Sequence, residues 1–410
     1  MGDIQVKNLN VIFGKRKKDA LKLLNQGESK PSILKKTGCT VGVNDANFEI
    51  KEGEIFVVMG LSGSGKSTLL RCFNRLIDPT SGSIILDDTD IVQSNDLELR
   101  EIRRKKMTMV FQHFGLLPHR TVSSNVAFGL EIQGIDEQTR IEKAYETIET
   151  VGLKGYEEQM TGQLSGGMQQ RVGLARALAT NPEVLLMDEA FSALDPLIRT
   201  NMQDELILLQ EKVQKTILFI THDLDEALKL GDRIAIMKDG KIIQIGTPEE
   251  ILTNPADDYV RAFVENVDRG DVITARSIMF EKPASIRIDH GPKVALRTMR
   301  KVGVTSLPVV DKQNNFLGFV KDDEMVVMEE KNLDKIGDYM HAKQKAVAVS
   351  PGTPVSELLP LFLDNIYNIA VVDDKNKLLG VVVHSSVIGE MLGTDREKIV
   401  QLKAEGGLSL

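Results

Sequence analysis

The chain has 410 residues, 42% hydrophobic and 27% charged, and its 51 basic and 59 acidic side chains leave a formal net charge of −8. That length exceeds one ordinary core and points to two or three soluble globular domains, while the acidic balance argues against wholesale nucleic-acid binding. The longest stretch without Asp, Glu, Lys or Arg runs from Met107 to His119, shorter than the ~18 to 20 apolar residues that cross a bilayer.

The opening segment MGDIQVKNLN is polar and holds no apolar signal core, so a cytosolic chain is expected. Cys39 and Cys72 are far apart and form no CxxC pair, which disfavours both a disulfide scaffold and a zinc site. Two basic runs, Lys15 to Lys18 and Arg103 to Lys106, read as solvated surface, with contact to an anionic lipid surface as the other reading.

The apolar run Ile55 to Met59 reads as a buried strand. It leads into GLSGSGKS, Gly60 to Ser67, which fits GxxxxGK[ST], and into a helix whose first turn holds Lys66, Ser67 and Thr68. Gly60, Gly63 and Gly65 let the loop bend so that successive backbone N–H groups, with Ser62 and Ser64 between them, face a phosphate at the helix N-terminus. Lys66 would bridge the β- and γ-phosphates of ATP, and Ser67 would ligate Mg²⁺.

Further along, Val184 to Met187 is a short apolar strand ending in Asp188 and Glu189. Such a strand delivers both acids to the same sheet edge as the glycine loop. Asp188 would hold Mg²⁺ through water, and Glu189 would orient and polarise the attacking water. Between these halves lies QLSGGMQQRVGLARAL, in which Leu164 to Gly167 precede a helix expected to begin near Met168. One γ-phosphate cannot easily use both helix termini of one chain. A head-to-tail dimer, in which Ser165, Gly166 and Gly167 of one copy close on the ATP held by Lys66 of the other, is the economical solution.

These segments resemble the ATP-binding subunits of ABC transporters. Gln112 in MVFQHF, Ser192 to Asp195 in SALD and His222 in FITHD stand in the family's order, over roughly residues 1 to 265. The resemblance implies an α/β fold: a P-loop ABC-type nucleotide-binding domain with a helical subdomain at about 112–175. It implies that Gln112 senses Mg²⁺ and the water and moves with a transmembrane partner. Asp195 would lie across the dimer from the opposing P-loop, and His222 would contact the γ-phosphate. Met168 departs from the Gln usual in the signature. Phe13 in VIFGKRKK is the candidate for stacking on adenine; because an insert at about Lys15 to Val43 follows it, a core position is the other reading.

Within the family, LLMDEAFSALDPLIRTNMQDEL, THDLDEALKLGDRIAIMKDG and the insert itself look most like the ATPase of bacterial glycine betaine/proline importers. The resemblance then implies an integral membrane permease subunit and a solute-binding protein or domain as partners. It also implies peripheral attachment at the cytoplasmic face of the membrane, with FQHFGLLPHRTVSSNVAFGL forming the groove for the permease. The rivals are an importer for another solute and a soluble ABC ATPase of translation or DNA repair.

After Asp268 the character changes, and LPVVDKQNNFLGFV (307–320) is repeated as IAVVDDKNKLLGVV (369–382). Each copy reads as a β-hairpin preceded by a helical stretch, and two such half-units can bury their apolar faces on each other. The arrangement resembles an α+β tandem pair of CBS domains over about 266–395, with repeats near 271–330 and 331–395 and a tail from 396. Such pairs often bind adenine nucleotides with a Thr or Ser and an Asp after the last strand. Here those positions hold Lys321 and Glu324, then Val383 and Ser386. Regulation of the ATPase by cyclic di-AMP or ionic strength is the preferred expectation, with a ligand-free dimerisation module as the alternative.

Overall fold

In a computed structural model of the protein, which describes residues 2–111, 115–192, 194–265, 267, 269–331, 334–340, 346–363 and 368–391, the chain divides after Val264 into two units. The first begins with β1 (Ile4–Phe13), followed by the helices α1 (Lys17–Asn25) and α2 (Lys30–Thr37) and by β2 (Thr40–Ile50). Then come β3 (Ile55–Met59), the glycine loop and α3 (Lys66–Phe73). β4 (Ser81–Leu86) and β5 (Thr89–Asp90) complete an antiparallel sheet ordered β2-β1-β4-β5.

After α4 (Asp96–Glu101) and β6 (Met107–Val110) come α5 (Val122–Val126), α6 (Phe128–Ile132), α7 (Glu137–Thr150) and α8 (Gly166–Ala179). Val126, Leu130, Ala144, Ile148, Val172 and Ala175 give these four helices a core of their own. The chain returns through β7 (Val184–Asp188), α9 (Pro196–Val213), β8 (Thr216–Thr221), α10 (Leu224–Leu230), β9 (Arg233–Lys238) and β10 (Lys241–Gly246). The second sheet runs β10-β9-β3-β8-β7-β6 and is parallel except at β10.

Every residue of β3, β7 and β8 is buried, as expected for parallel strands covered on both faces, and this is why their sequences are continuous apolar runs. Phe48 of β2 stacks on Phe56 of β3 with ring centroids 5.1 Å apart, and Phe73 of α3 lies 6.3 Å from Phe48, so the two sheets share one core.

The insert does not take Phe13 out of the sheet. Phe13 pairs with Thr40 across β1 and β2, and the two helices between them close a small core of Ile12, Ala20, Leu24, Ile33, Cys39 and Val41. Phe13 itself is 40% exposed, so it is not a core residue. Ser29 caps α2 and Gly38, in the left-handed region, ends it.

The second unit contains β11 (Phe280–Glu281), β12 (Ile286–Arg287), β13 (Ser306–Val310), β14 (Phe316–Lys321), β15 (Ala348–Val349), β16 (Ile369–Val372) and β17 (Leu378–Val382). They form two sheets, β12-β13-β14 and β11-β17-β16-β15. The β13–β14 and β16–β17 hairpins are built alike. Asp311 Oδ1 accepts from the amides of Gln313 and Asn315 (2.8 Å each), and Asp373 Oδ1 accepts from those of Lys375 and Lys377 (2.9 and 2.8 Å). Asn314 and Asn376 occupy the left-handed region, with φ of 68° and 61°, which Asn tolerates better than most residues.

These two asparagines clasp the repeats together. Phe316 N donates to the Asn376 carbonyl (2.9 Å) and Leu378 N to the Asn314 carbonyl (3.1 Å). The Asn376 side-chain amide donates to the Phe316 carbonyl (2.9 Å) and that of Asn314 to the Leu378 carbonyl (3.2 Å). The leading segments are exchanged as well. Ala275 N donates to the Thr353 carbonyl and β11 pairs with β17, while Ile336 N donates to the His290 carbonyl beside β12. Asn314→Ala or Asn376→Ala removes one clasp bond and the tolerance for positive φ. Each is expected to destabilise the second unit by about 1–3 kcal/mol in urea titrations and to speed amide exchange at residues 314–320 and 376–382. Glycine at either position should recover only the backbone part.

Candidate active site at the carboxyl edge of the parallel sheet

The strands β3, β8 and β7 are neighbours, and each ends in a functional segment: the glycine loop, then Thr221–His222, then Asp188–Glu189. Parallel order places all three at one sheet edge, where open α/β folds bind ligands.

The loop is shaped by backbone contact. A side chain at Gly60 (φ 150°) would overlap the Met237 carbonyl, and one at Gly65 (φ 109°) would overlap the Gly42 carbonyl. Gly63 is also at positive φ, and nothing lies close to it. Ser62 is exposed, whereas Ser64 is buried and its Oγ has no hydrogen-bond partner. Lys66 Nζ donates to the carbonyls of Gly60 (2.7 Å) and Leu61 (3.2 Å). Burial holds its ammonium below the ordinary lysine range, against the attraction of Glu189 and Asp188.

Ser67 Oγ donates to Asp188 Oδ1 at 3.1 Å, so a hydroxyl and a carboxylate meet at one point. The other carboxylate oxygen of Asp188 is 3.3 Å from Arg71 Nη2. Arg71 lies one turn beyond Ser67 on α3; that i, i+4 spacing was visible in the sequence, but its partner was not. Next to Asp188, Glu189 adopts φ 45°, a strained conformation for a long side chain. The position is over-determined: Glu189 N donates to the Ile220 carbonyl (3.1 Å), and the Glu189 carbonyl accepts from Ser192 N (3.1 Å) and Ser192 Oγ (2.8 Å). His222 Nδ1 is 3.3 Å from Glu189 Oε2, so these two side chains meet directly.

Phe13 lies at the same end of the fold, since a carbon built on Gly42 would sit 2.8 Å from Phe13 Cε2 and 3.1 Å from Thr68 Cγ2. Gln112 falls outside the described residues. Away from the loop, α8 starts at Gly166, two residues before Met168, because Ser165 Oγ accepts from Met168 N and caps it. Met168 packs its side chain against the core of the helical subdomain. Ser165 and Gly166 are exposed, and Gly167 abuts Ile198 of α9, the helix that Asp195 caps by accepting from Ile198 N at 3.1 Å. The basic run 103–106 is engaged within the chain: Arg103 donates to the carbonyls of Asn74 and Arg75, Arg104 and Lys105 pair with Glu101, and Lys106 pairs with Asp87 and Glu183. Cys72 is inert, since burial pushes its thiol up to about 12.

The sequence matches the ABC transporter family over residues 43–192 and the CBS domain twice, over 275–327 and 336–393. It is 52% identical to the glycine betaine transport ATP-binding protein OpuAA of Bacillus subtilis, covering 98% of this chain and 94% of that protein. To the glycine betaine/proline betaine transport system ATP-binding protein ProV of Escherichia coli it is 48% identical, over 97% of this chain and 98% of the relative. Among solved structures it is similar to the dimeric, post-hydrolysis ATP-binding cassette MJ0796 bound to ADP and Pi, with 33% identity and a TM-score of 0.50 over 60% of this chain and 98% of that one. The chain is a transport ATPase that belongs to the ATP-binding subunits of glycine betaine/proline betaine ABC transporters, with a pair of CBS domains following its ATPase unit in the sequence.

Proposed function

We propose that this ATPase powers uptake of glycine betaine or a related quaternary-ammonium or proline-type osmolyte through a membrane permease subunit fed by a solute-binding protein or domain. The observation that carries the reading is the convergence of Lys66, Ser67, Asp188, Glu189 and His222 at one sheet edge, in a chain alike to glycine betaine transport ATPases along nearly its whole length. No helix among the described residues is long and apolar enough to cross a membrane. The solute path in this reading belongs to the permease, and the chain works peripherally at the cytoplasmic face. A cleft of about 400 Å³ between β6, α6 and α8, lined by Arg103, Arg104, Phe128, Ile132 and Arg176, is a fitting seat for a permease element.

In the mechanism, the loop amides from Gly60 to Thr68, Ser62 and Ser64 included, cradle the phosphates, and Lys66 neutralises the β- and γ-phosphates. Ser67 and Asp188 suit Mg²⁺, because a hydroxyl and a carboxylate are hard oxygen donors and the ion needs few side chains when phosphate and water complete its shell. When bound, Mg²⁺ offsets charge on the transferring phosphoryl group. Arg71 steadies Asp188 from behind. Glu189 accepts a proton from the attacking water while His222, in contact with it, aligns the γ-phosphate. Two copies act head to tail, with Ser165, Gly166 and Gly167 closing on the partner's nucleotide and Asp195 beside them.

The CBS pair is the regulatory part of this proposal, responding to cyclic di-AMP or to ionic strength. At the first repeat the positions of the usual Thr/Ser and Asp hold Lys321 and Glu324, and Glu324 Oε2 accepts from Lys321 N at 2.8 Å, so an AMP-type ribose site is weakened there.

Three outcomes check these assignments. Glu189→Gln should bind ATP normally yet lose about 100-fold or more in turnover, and near-normal hydrolysis removes Glu189 from its role. Arg71→Met should lower kcat by about threefold to tenfold with ATP affinity unchanged, whereas an unchanged kcat leaves Arg71 a surface pair. In vesicles holding chain, permease and its solute-binding protein or domain, glycine betaine should stimulate ATPase, and deleting residues 271–410 should leave that activity while abolishing its response to cyclic di-AMP and salt. A response that persists refutes the regulatory role.

A further inference from the structure

The two-helix insert takes no part in the site described above, yet it brings a cation to the flank of the phosphate loop. Lys30 is the first residue of α2, immediately after the Ser29 cap. A positive charge in a first helical turn is opposed by the helix dipole. Burial also holds this ammonium below the ordinary lysine range, with the attraction of Asp239 acting the other way. The fold keeps Lys30 half-buried despite both costs. A residue that breaks a local rule at such a cost, with Asp239 offsetting only part of it, is where a functional role is to be sought.

Its surroundings supply that role. A carbon built on Gly240 would lie 2.8 Å from Lys30 Nζ and 2.7 Å from the Gly42 carbonyl oxygen. Gly240 N donates to the Ser64 carbonyl of the phosphate loop (2.7 Å), and the Gly240 carbonyl accepts from Asn44 N of β2 (2.8 Å). A carbon built on Gly65 would lie 3.4 Å from Gly240 Cα. Gly42, the same glycine whose carbonyl faces Gly240, lies against the Phe13 ring and the Thr68 methyl. Lys30 therefore reaches the backbone knot that carries the phosphate loop on one side and the exposed aromatic ring on the other. Lys66 occupies the inside of the loop; Lys30 stands outside it at Gly240, whose neighbour Gly42 lies against Phe13.

We propose that Lys30 is a further nucleotide contact, supplied by the insert, whose ammonium donates to acceptor atoms of the nucleoside portion, a ring nitrogen or a ribose oxygen, beside the Phe13 ring. The inference rests on the P-loop reading of nucleotide binding. It requires that ATP and ADP, which share the nucleoside, feel Lys30 equally.

With the purified full-length chain, Lys30→Ala is expected to raise the Kd of ATP and of ADP by about tenfold, the equivalent of one charge-assisted hydrogen bond, and Lys30→Arg to keep most of the affinity. In the wild-type chain, saturating ADP should protect Lys30 from amine acetylation read by mass spectrometry, and this decides the matter if Lys30→Ala does not fold. Unchanged Kd values in Lys30→Ala, unchanged labelling of Lys30 under ADP, or a loss for ATP alone would each overturn the proposal. A wild-type chain that binds neither nucleotide would instead overturn the P-loop reading itself.

Discussion

The carbonyl oxygens of Met237 and Gly42 stand where side chains at Gly60 and Gly65 would otherwise be, and the rest of the first unit is arranged around that exclusion. Close backbone contact ties the loop to β9 on one side and to β2 on the other, so the loop cannot shift without moving two sheets that share one core. A rigid loop matters because phosphoryl transfer draws most of its acceleration from positioning and fixed charge. The same constraint explains the Asp239–Gly240 turn, whose positive φ angles let the backbone, not a side chain, bond to Ser64.

Charge at the sheet edge is balanced in a chain of contacts. Asp188 is almost fully buried, and a buried carboxylate is costly unless paired and hydrogen-bonded. Ser67 supplies the hydrogen bond and Arg71 the charge, both from one face of α3. Glu189 is treated differently: its backbone is held in a strained region by bonds to Ile220 and Ser192, and its carboxylate meets His222. Two adjacent acids thus receive separate surroundings, one tied to a cation and a hydroxyl, the other to a half-exposed imidazole. That separation suits the distinct metal-holding and water-activating tasks proposed for them.

Much of this was legible in the sequence for a local reason. Strand, glycine loop and helix are contiguous, and a buried parallel strand shows itself as an unbroken apolar run, so Gly60 to Thr68 and Asp188–Glu189 could be read directly. What could not be read depends on contacts between distant segments. Arg71 looks like any solvated helix residue until Asp188, 117 positions away, is placed beside it. The position of Phe13 turned on whether the insert broke the sheet. It does not, because the two helices bury their apolar faces on each other and on Ile12 and Val41, and the strand resumes at Thr40. Lys30 was invisible for the same reason: its neighbours Gly42 and Gly240 are glycines, which leave no side-chain pattern to match.

The repeat in the second unit was legible as repetition, but the use made of it was not. An isolated two-stranded hairpin is marginal in water; β13–β14 packs one face on Ala295, Met299, Met325, Met328 and Ile336 and meets β16–β17 with the other. Val310, Phe316 and Phe319 from one hairpin bury themselves with Ala370, Leu378 and Val381 from the other. Asp311 and Asp373 order equivalent turns, those turns place Asn314 and Asn376 at positive φ, and each asparagine then bonds to the opposite strand. Because the leading segments are exchanged as well, each repeat is finished by residues that belong in sequence to the other. One copy alone would leave an apolar face uncovered and its leading segment without a partner, so each half is completed by the other.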